Sequence, residues 1–393
     1  MWRHDVGARY SWREIIRQPA LLVWCLYLLA TPFYVFKSGL PQPGDALVFL
    51  LTPLALIGWN GRLPVAYARV LRPLVAFTLW VTIVNLAWAA ILGTWSRPKD
   101  FLVFPLFYAY NLAVLISALI IARPDPRRFL RLTVDMVLAT IALQVVASLF
   151  YKTSLYRGTL FFGSANQLGY YALLSACLFT MTQKPLRLGR VLPGVAVAAC
   201  AYLAVLSASR AALAGILLLL VVQLFSNPKA IVLGGIFAIG LASLGGPLMN
   251  AIEASRQRAE EDLRPKLSFA QERGYDRIIN NPEYLALGAG EGANSRFVPA
   301  GAHALEIHSS LGTLLFSYGI VGLALFITFA VRLVRGSSLT SAIVLVAPMV
   351  YSIAHQGLRF TSVWVIVGAF MVLKSMEKVP QHVAAPHRPH RSL

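Results

Sequence analysis

The sequence predicts an all-α, polytopic membrane protein of about twelve transmembrane helices with a helical lid on one face. Three observations carry this. Of 393 residues, 58% are hydrophobic and only 13% are charged, against about 25% charged in a typical soluble chain. The apolar residues come in blocks long enough to cross a bilayer, which takes about 20 residues per helix. The weak alternation over short segments that marks a transmembrane barrel is missing.

The blocks fall in order at 20–36, 46–59, 73–92, 101–122, 132–151, 168–182, 191–206, 211–225, 230–249, 309–331, 339–353 and 360–373. Several are short, and 46–59, 339–353 and 360–373 read as tilted or extended by their flanks. Prolines at 32, 53, 105, 193 and 348 are compatible with spans, because neighbouring helices re-satisfy the freed carbonyls. The first block has no small-residue cleavage site after it and reads as a retained helix. Cys25, Cys177 and Cys200 all lie inside apolar blocks without a CxxC pair. They read as packing residues, with no disulfide and no metal site.

The basic residues orient the chain. With the N-terminus inside, the inner segments hold 21 of the 35 Lys and Arg, the short outer segments hold 7, and 250–308 holds the other 7. This bias puts both termini in the cytoplasm and 250–308 outside. The net charge of +19 is then the charge of loops facing anionic lipid. No soluble region of useful size is left to bind nucleic acid.

The chain divides into spans 1–9 (1–249), an outer loop or lid (250–308), spans 10–12 (309–373) and an inner tail (374–393). The lid holds nine of the sixteen acidic residues. Its EASRQRAEEDLRPKLSFAQERGYDRIINN stretch reads as two short polar helices broken at Pro265. The following GAGEGANSRF reads as a glycine-rich turn. Leu263, Leu267, Phe269, Ile278, Ile279 and Leu285 argue that the lid is ordered and lies on the outer membrane face. The terminal PQHVAAPHRPHRSL reads as a disordered basic tail.

Four outer stretches carry candidate chemistry. His308 stands at the lip of the 309–331 span. It reads either as a helix-end polar residue beside Ser309 and Ser310 or as a base suited to neutral pH. In SASRAALAG (207–215), Arg210 leads into an apolar helix. It reads as a snorkelling cation, or as part of an anion site with the free N–H groups of that helix's first turn. In RGTLFFGSANQLGYYALL (157–174), Arg157, Asn166 and Gln167 border Gly163 and Gly169, as a turn or a polar cavity. In QERGYDRIINNPEYLALGAGEG (271–292), the i, i+4 spacing predicts Arg273 and Arg277 on one helix face, solvated or binding.

All four stretches lie on one face. Histidine with several arginines at an outer membrane surface suits a phosphate-bearing lipid and a proton to be removed. The sequence lacks a DxD-type acidic pair on a loop, which disfavours a metal-held nucleotide sugar. It also lacks a GxxxxGK[ST] phosphate loop and a His-Glu-x-x-His motif. No cofactor and no metal are implied. Few charges stand inside the spans, Asp135 being the main one, which weighs against an ion-coupled transporter.

The order FFGSANQLGYYAL, SASRAALAG, QERGYDRIINNPEYLALGAGEG, EIHSSLGTLLFSYGIVG resembles the O-antigen ligase and polymerase superfamily of bacterial envelopes. The motifs run from about 157 to 326, and the span layout covers the rest. The resemblance implies an integral-membrane (GT-C type) glycosyltransferase of the inner membrane with a periplasmic site. The reaction implied is metal-independent, inverting transfer of O-antigen glycan from undecaprenyl diphosphate to the lipid A–core oligosaccharide, a step of lipopolysaccharide biosynthesis. In a polymerase the acceptor is a second carrier-linked glycan. It implies His308 as base and Arg210, with Arg157, Asn166, Gln167, Arg273 and Arg277, at the diphosphate and glycan. A lipid-linked glycan transporter is the alternative from another class.

Overall fold

The computed structural model describes residues 18–36, 40–57, 59, 61, 63–97, 101–150, 157–189, 191–226, 268–297 and 306–377, with scattered positions in 229–260. The expected 230–249 span, the break at Pro265, Leu263, Leu267 and the tail beyond 377 lie outside the described residues or mostly so. Among the described residues the protein is all helical, with no strand.

The helices are α1 (Pro19–Ala30), α2 (Pro43–Ile57), α3 (Val65–Ile91), α4 (Val103–Ala122), α5 (Pro126–Phe150), α6 (Ala165–Thr182), α7 (Val191–Ser207) and α8 (Arg210–Ser226). The lid follows with α9 (Phe269–Glu272) and α10 (Asp276–Asn280), then α11 (Ser310–Val334), α12 (Leu339–Ala354) and α13 (Thr361–Glu377). α3, α4, α5 and α11 are long and apolar enough to cross a membrane, and α1, α2, α7, α8 and α12 are shorter apolar helices. α13 runs four residues past the expected end of its block, because Lys374 still finds carbonyls to bind (below).

Apolar side chains stand on the outside of these helices: Phe49, Ile57, Leu79, Ile83, Leu217, Ile320 and Leu339 are all exposed. In water so much apolar surface would be an aggregation site, whereas against lipid it is the natural exterior. The helices share one large core, with α6 buried almost all round, and a smaller cluster of Ala289, Phe297, Ile307 and Phe316 lies under the lid. Tyr170 of α6 stacks on Tyr351 of α12 with ring centroids 3.8 Å apart.

The helix starts are set by local chemistry. Ser164, Ser309 and Ser338 precede α6, α11 and α12, and each hydroxyl accepts a backbone N–H of the first turn, the usual role of serine there.

Long-range hydrogen bonds gather alternate helix ends together. After α1, the Tyr34 N–H donates to the Phe161 carbonyl ahead of α6, at 2.9 Å. Tyr110, two turns into α4, donates to Asp45 at the start of α2, at 2.6 Å. The Ser310 N–H at the start of α11 donates to the His355 carbonyl after α12, at 3.1 Å. The Leu358 N–H ahead of α13 donates to the Ser310 hydroxyl, at 3.1 Å. The lid sits at this end.

α11 is interrupted. Gly319 has φ 67° and ψ −173° in the middle of the helix. The glycine-rich segment 286–291 fills the break: the Ala289 and Gly290 N–H groups donate to the Phe316 and Ser317 carbonyls, each at 2.9 Å. Trp80 and Trp88 of α3 cap the arrangement by donating to the Tyr318 and Gly288 carbonyls at 2.8 and 2.9 Å. Every freed backbone group named here has a partner, the condition for irregular backbone inside an apolar bundle. A Cβ on Gly319 would lie 2.6 Å from the Ala286 oxygen and 2.7 Å from the Gly288 nitrogen, so only glycine permits this contact.

Candidate functional site

The lid departs from the expected single helix face. Gly274, at φ +75°, ends α9 and separates it from α10. Arg273 is the C-cap of α9 and Arg277 lies in α10, so the i, i+4 pair is not on one continuous helix. A glycine in the left-handed region is a standard helix stop. Of the apolar residues expected to order the lid, Ile278 packs inward, while Phe269 and Ile279 are exposed.

The two arginines take different surroundings. Arg277 is buried, donates to the Asn294 side chain at 3.2 Å and lies 5.6 Å from the centre of the Phe297 ring. Burial lowers its pKa, opposed by Asp276 and Glu306. It lines a small cleft together with Phe104, Glu291, Glu306 and Thr313. Arg273 reaches the rim. It pairs with Glu272 at 3.5 Å and packs over Phe269, and its buried Nε makes no hydrogen bond.

His308 is joined to the lid through its backbone, its N–H donating to the Arg273 carbonyl at 3.0 Å. Its Nδ1 stands 4.0 Å from Glu306 Oε1. Arg157 Nε donates to the Ser207 carbonyl at the end of α7, at 3.0 Å, and its Nη2 donates to Asn166 Oδ1 at 2.7 Å. The Asn166 carbonyl accepts from Tyr351 at 3.2 Å, and the Gln167 N–H donates to Ser164 at the start of α6. Arg210 is the exposed first residue of α8, three positions after Ser207.

His355 was not singled out in the sequence, and it belongs to this rim. Its ring lies 4.6 Å from that of Tyr351. Burial, then the nearby Arg273, His308 and Arg157 charges, push its pKa down to about 4. One end of the bundle therefore holds Arg157, Arg273 and His308 close enough to act electrostatically on His355.

Below the rim is a buried ion network built on Glu291 and Arg359, neither of which the sequence reading singled out. Glu291, 4% exposed, receives Arg359 Nη2 on one carboxylate oxygen and the Tyr318 hydroxyl on the other. Its backbone N–H donates to Asn85 at 2.9 Å. Arg359 Nη1 then reaches Glu306 Oε2 at 3.0 Å, and the guanidinium lies 5.1 Å from the Phe104 ring centre. Burial opposes the Arg359 charge, but Glu291 and Glu306 outweigh it and raise its pKa. Nearby, Arg296 donates to the Ala289 carbonyl at 2.6 Å among the rings of Trp88, Phe101 and Phe297. Burial lowers its pKa to about 10, which leaves it a cation at neutral pH.

No protein-family model and no curated protein matches the chain.

A signal for part of the missed set exists in the sequence. HQGLRF (355–360) puts a histidine and an arginine just ahead of an apolar block, as EIHSS does before α11. Glu291 stands alone among glycines, and nothing local pairs it with Arg359, 68 positions away. Among the described residues, no group of three or more His, Cys, Asp or Glu is placed to hold a metal ion. The three cysteines are buried thiols.

Proposed function

We propose that the protein is an O-antigen ligase of the bacterial inner membrane, with about twelve spans of the GT-C type and its rim facing the periplasm. It transfers O-antigen glycan from undecaprenyl diphosphate to the lipid A–core acceptor. The observation that carries the reading is the gathering of Arg157, Arg273, His308 and His355 on one helix-end rim, with Arg210 on the same end.

The chemistry follows from that rim. The acceptor hydroxyl oxygen attacks the anomeric carbon from the face opposite the carrier, and inversion results. The anomeric C–O bond breaks and its electron pair leaves on the diphosphate. Arginine guanidinium groups are permanently charged forks that fit phosphate oxygens and stabilise the charge that develops there. Arg210 and Arg273 supply these charges, with Arg157 held beside Asn166 and Gln167 at the same end. Arg277, inside the lid, braces it through Asn294. His308 takes the hydroxyl proton, because a neutral imidazole is a competent base near neutral pH.

Reconstituted transfer tests the reading. General-base catalysis contributes about 10²–10⁴-fold, roughly 3–5 kcal/mol of barrier, so His308→Ala should cut transfer by that factor while donor binding persists. Near-wild-type turnover would remove His308 from the mechanism. Arg210→Lys keeps charge but loses the fork and should still lose most activity. Chelators should leave transfer unchanged. Lipopolysaccharide from a deletion strain separates ligase from polymerase: loss of every capped chain marks a ligase, and single-repeat capping marks a polymerase. A transporter would leave purified protein without transfer in any assay. For orientation, cysteine at the exposed Ser295 should react with an impermeant reagent in spheroplasts, and cysteine at Ser226 should not.

A further inference from the structure

We propose that Glu306 is a positioning residue for His308, and that Arg359, anchored on buried Glu291, fixes Glu306 in that role. The inference rests on the transferase reading above and deepens it.

The geometry is a chain of charges of alternating sign. Glu291 sits in the interior, held by Tyr318, Arg359 and Asn85. Arg359 bridges outward to Glu306 Oε2 at 3.0 Å. The other oxygen of the same carboxylate lies 4.0 Å from His308 Nδ1. Glu306 thus uses one oxygen for its own anchorage and offers the other to the imidazole. A carboxylate placed at Nδ1 favours the tautomer protonated there and assigns the proton-accepting role to Nε2. It also stabilises the imidazolium that forms when Nε2 takes the acceptor hydroxyl's proton.

The need for such a partner is visible around it. The groups described at the rim from other elements are Arg273 with its partner Glu272 from the lid, and His355 with Tyr351 from the end of α12. Arg157, from the segment before α6, acts on the same His355. That collection suits a diphosphate and places cations near the imidazole. Glu306 is an acidic group held 4.0 Å from the imidazole. Arg359 keeps it there, because a carboxylate tied by a charged hydrogen bond cannot swing onto Arg273 instead. The anchor itself is held by backbone that depends on the α11 break: Glu291 follows the 286–290 segment seated against Gly319.

The test is Glu306→Gln in the full-length protein, a substitution of equal shape at a side chain one-third exposed. Two readouts are taken. The first is the pH profile of transfer, with kcat separated from KM for the donor. The second is the pH dependence of diethyl pyrocarbonate modification at His308, followed by peptide mass, which needs no turnover. We expect kcat to fall roughly tenfold or more with donor KM unchanged. The acid limb of the profile and the His308 modification midpoint should both move to lower pH, since an anionic neighbour has been lost. In a His308→Ala background the same substitution should change transfer less than twofold. Unmoved midpoints, or a further tenfold loss in that background, would overturn the proposal. If the wild-type protein transfers no glycan, the ligase reading fails by itself, and the modification midpoints still decide whether Glu306 acts on His308.

Discussion

Basic side chains do different work at the two ends of the bundle. At the end opposite the lid, Lys374 of α13 donates to the Leu333 and Arg335 carbonyls at 2.7 and 2.6 Å, where α11 runs out. Arg332 donates to the Arg69 carbonyl at 3.0 Å. Lys374 caps the C-terminus of α11, and Arg332 lies in the last turn of the same helix, the favourable end for positive charge. At the lid end, Arg359 is locked between two carboxylates, and Arg157, Arg273, His308 and His355 crowd together. The Arg157 and Arg273 charges keep His355 neutral there, and Glu291 and Glu306 neutralise Arg359. The difference separates cations spent on helix termini from cations gathered around a buried carboxylate pair.

Removing the buried anchor should break this contrast most severely. Arg359→Met leaves the Glu291 carboxylate buried without its cation, a change that costs about 3–5 kcal/mol. Thermal unfolding in detergent should show it, and the double variant with Glu291→Gln should recover part of the loss. A drop no larger than that from Lys374→Ala would erase the distinction between the two ends.

Next in size is the seat of the glycine segment. Gly319→Ala must place a Cβ against the Ala286 oxygen at a positive φ, costing roughly 2–3 kcal/mol. The expected result is lower thermal stability with new protease cleavage in 286–296. An unchanged cleavage pattern would show that the segment docks without the break.

A pH-dependent effect sharpens the comparison further. His355 has a folded-state pKa of about 4, below its ordinary value of about 6.5. The unfolded chain therefore binds the extra proton first. Stability from this group is full above pH 6.5 and is lost as pH falls from there toward 4. His355→Gln should flatten the stability profile within that window. A variant with the wild-type acid limb would place the effect on another group.

The smallest change belongs to the far end. Lys374→Ala removes a capping cation from α11 and should cost about 1 kcal/mol or less, read in the same unfolding assay. Transfer activity should stay near wild type.

Much of the helical layout was legible from hydropathy. The block read from 309 begins as α11 at Ser310, and the block read from 211 begins as α8 at Arg210. Both starts are marked locally by a serine next to an apolar run. Arg157 and Asn166, nine positions apart in one stretch, are hydrogen-bonded to each other. The lid was read less well. The i, i+4 rule placed Arg273 and Arg277 on one face, and Gly274 between them turned one outward and the other into the lid. The break in α11 was hidden because a glycine inside an apolar block is ordinary in a membrane helix.

The sequence by itself determined the all-helical membrane class and the end of the bundle on which its histidine and arginine motifs fall, while several helix edges moved, the block read from 73 starting at Val65 and the block read from 132 at Pro126. Those properties depend on local composition, because a run of apolar residues must form a helix before it can enter lipid. Only the tertiary structure decided that Glu291, Arg359 and Glu306 form one chain leading to His308. It also decided that His355 joins the rim. A buried ion pair is selected by where two distant segments meet. No periodicity records that meeting, and the low-dielectric interior then makes the pairing obligatory.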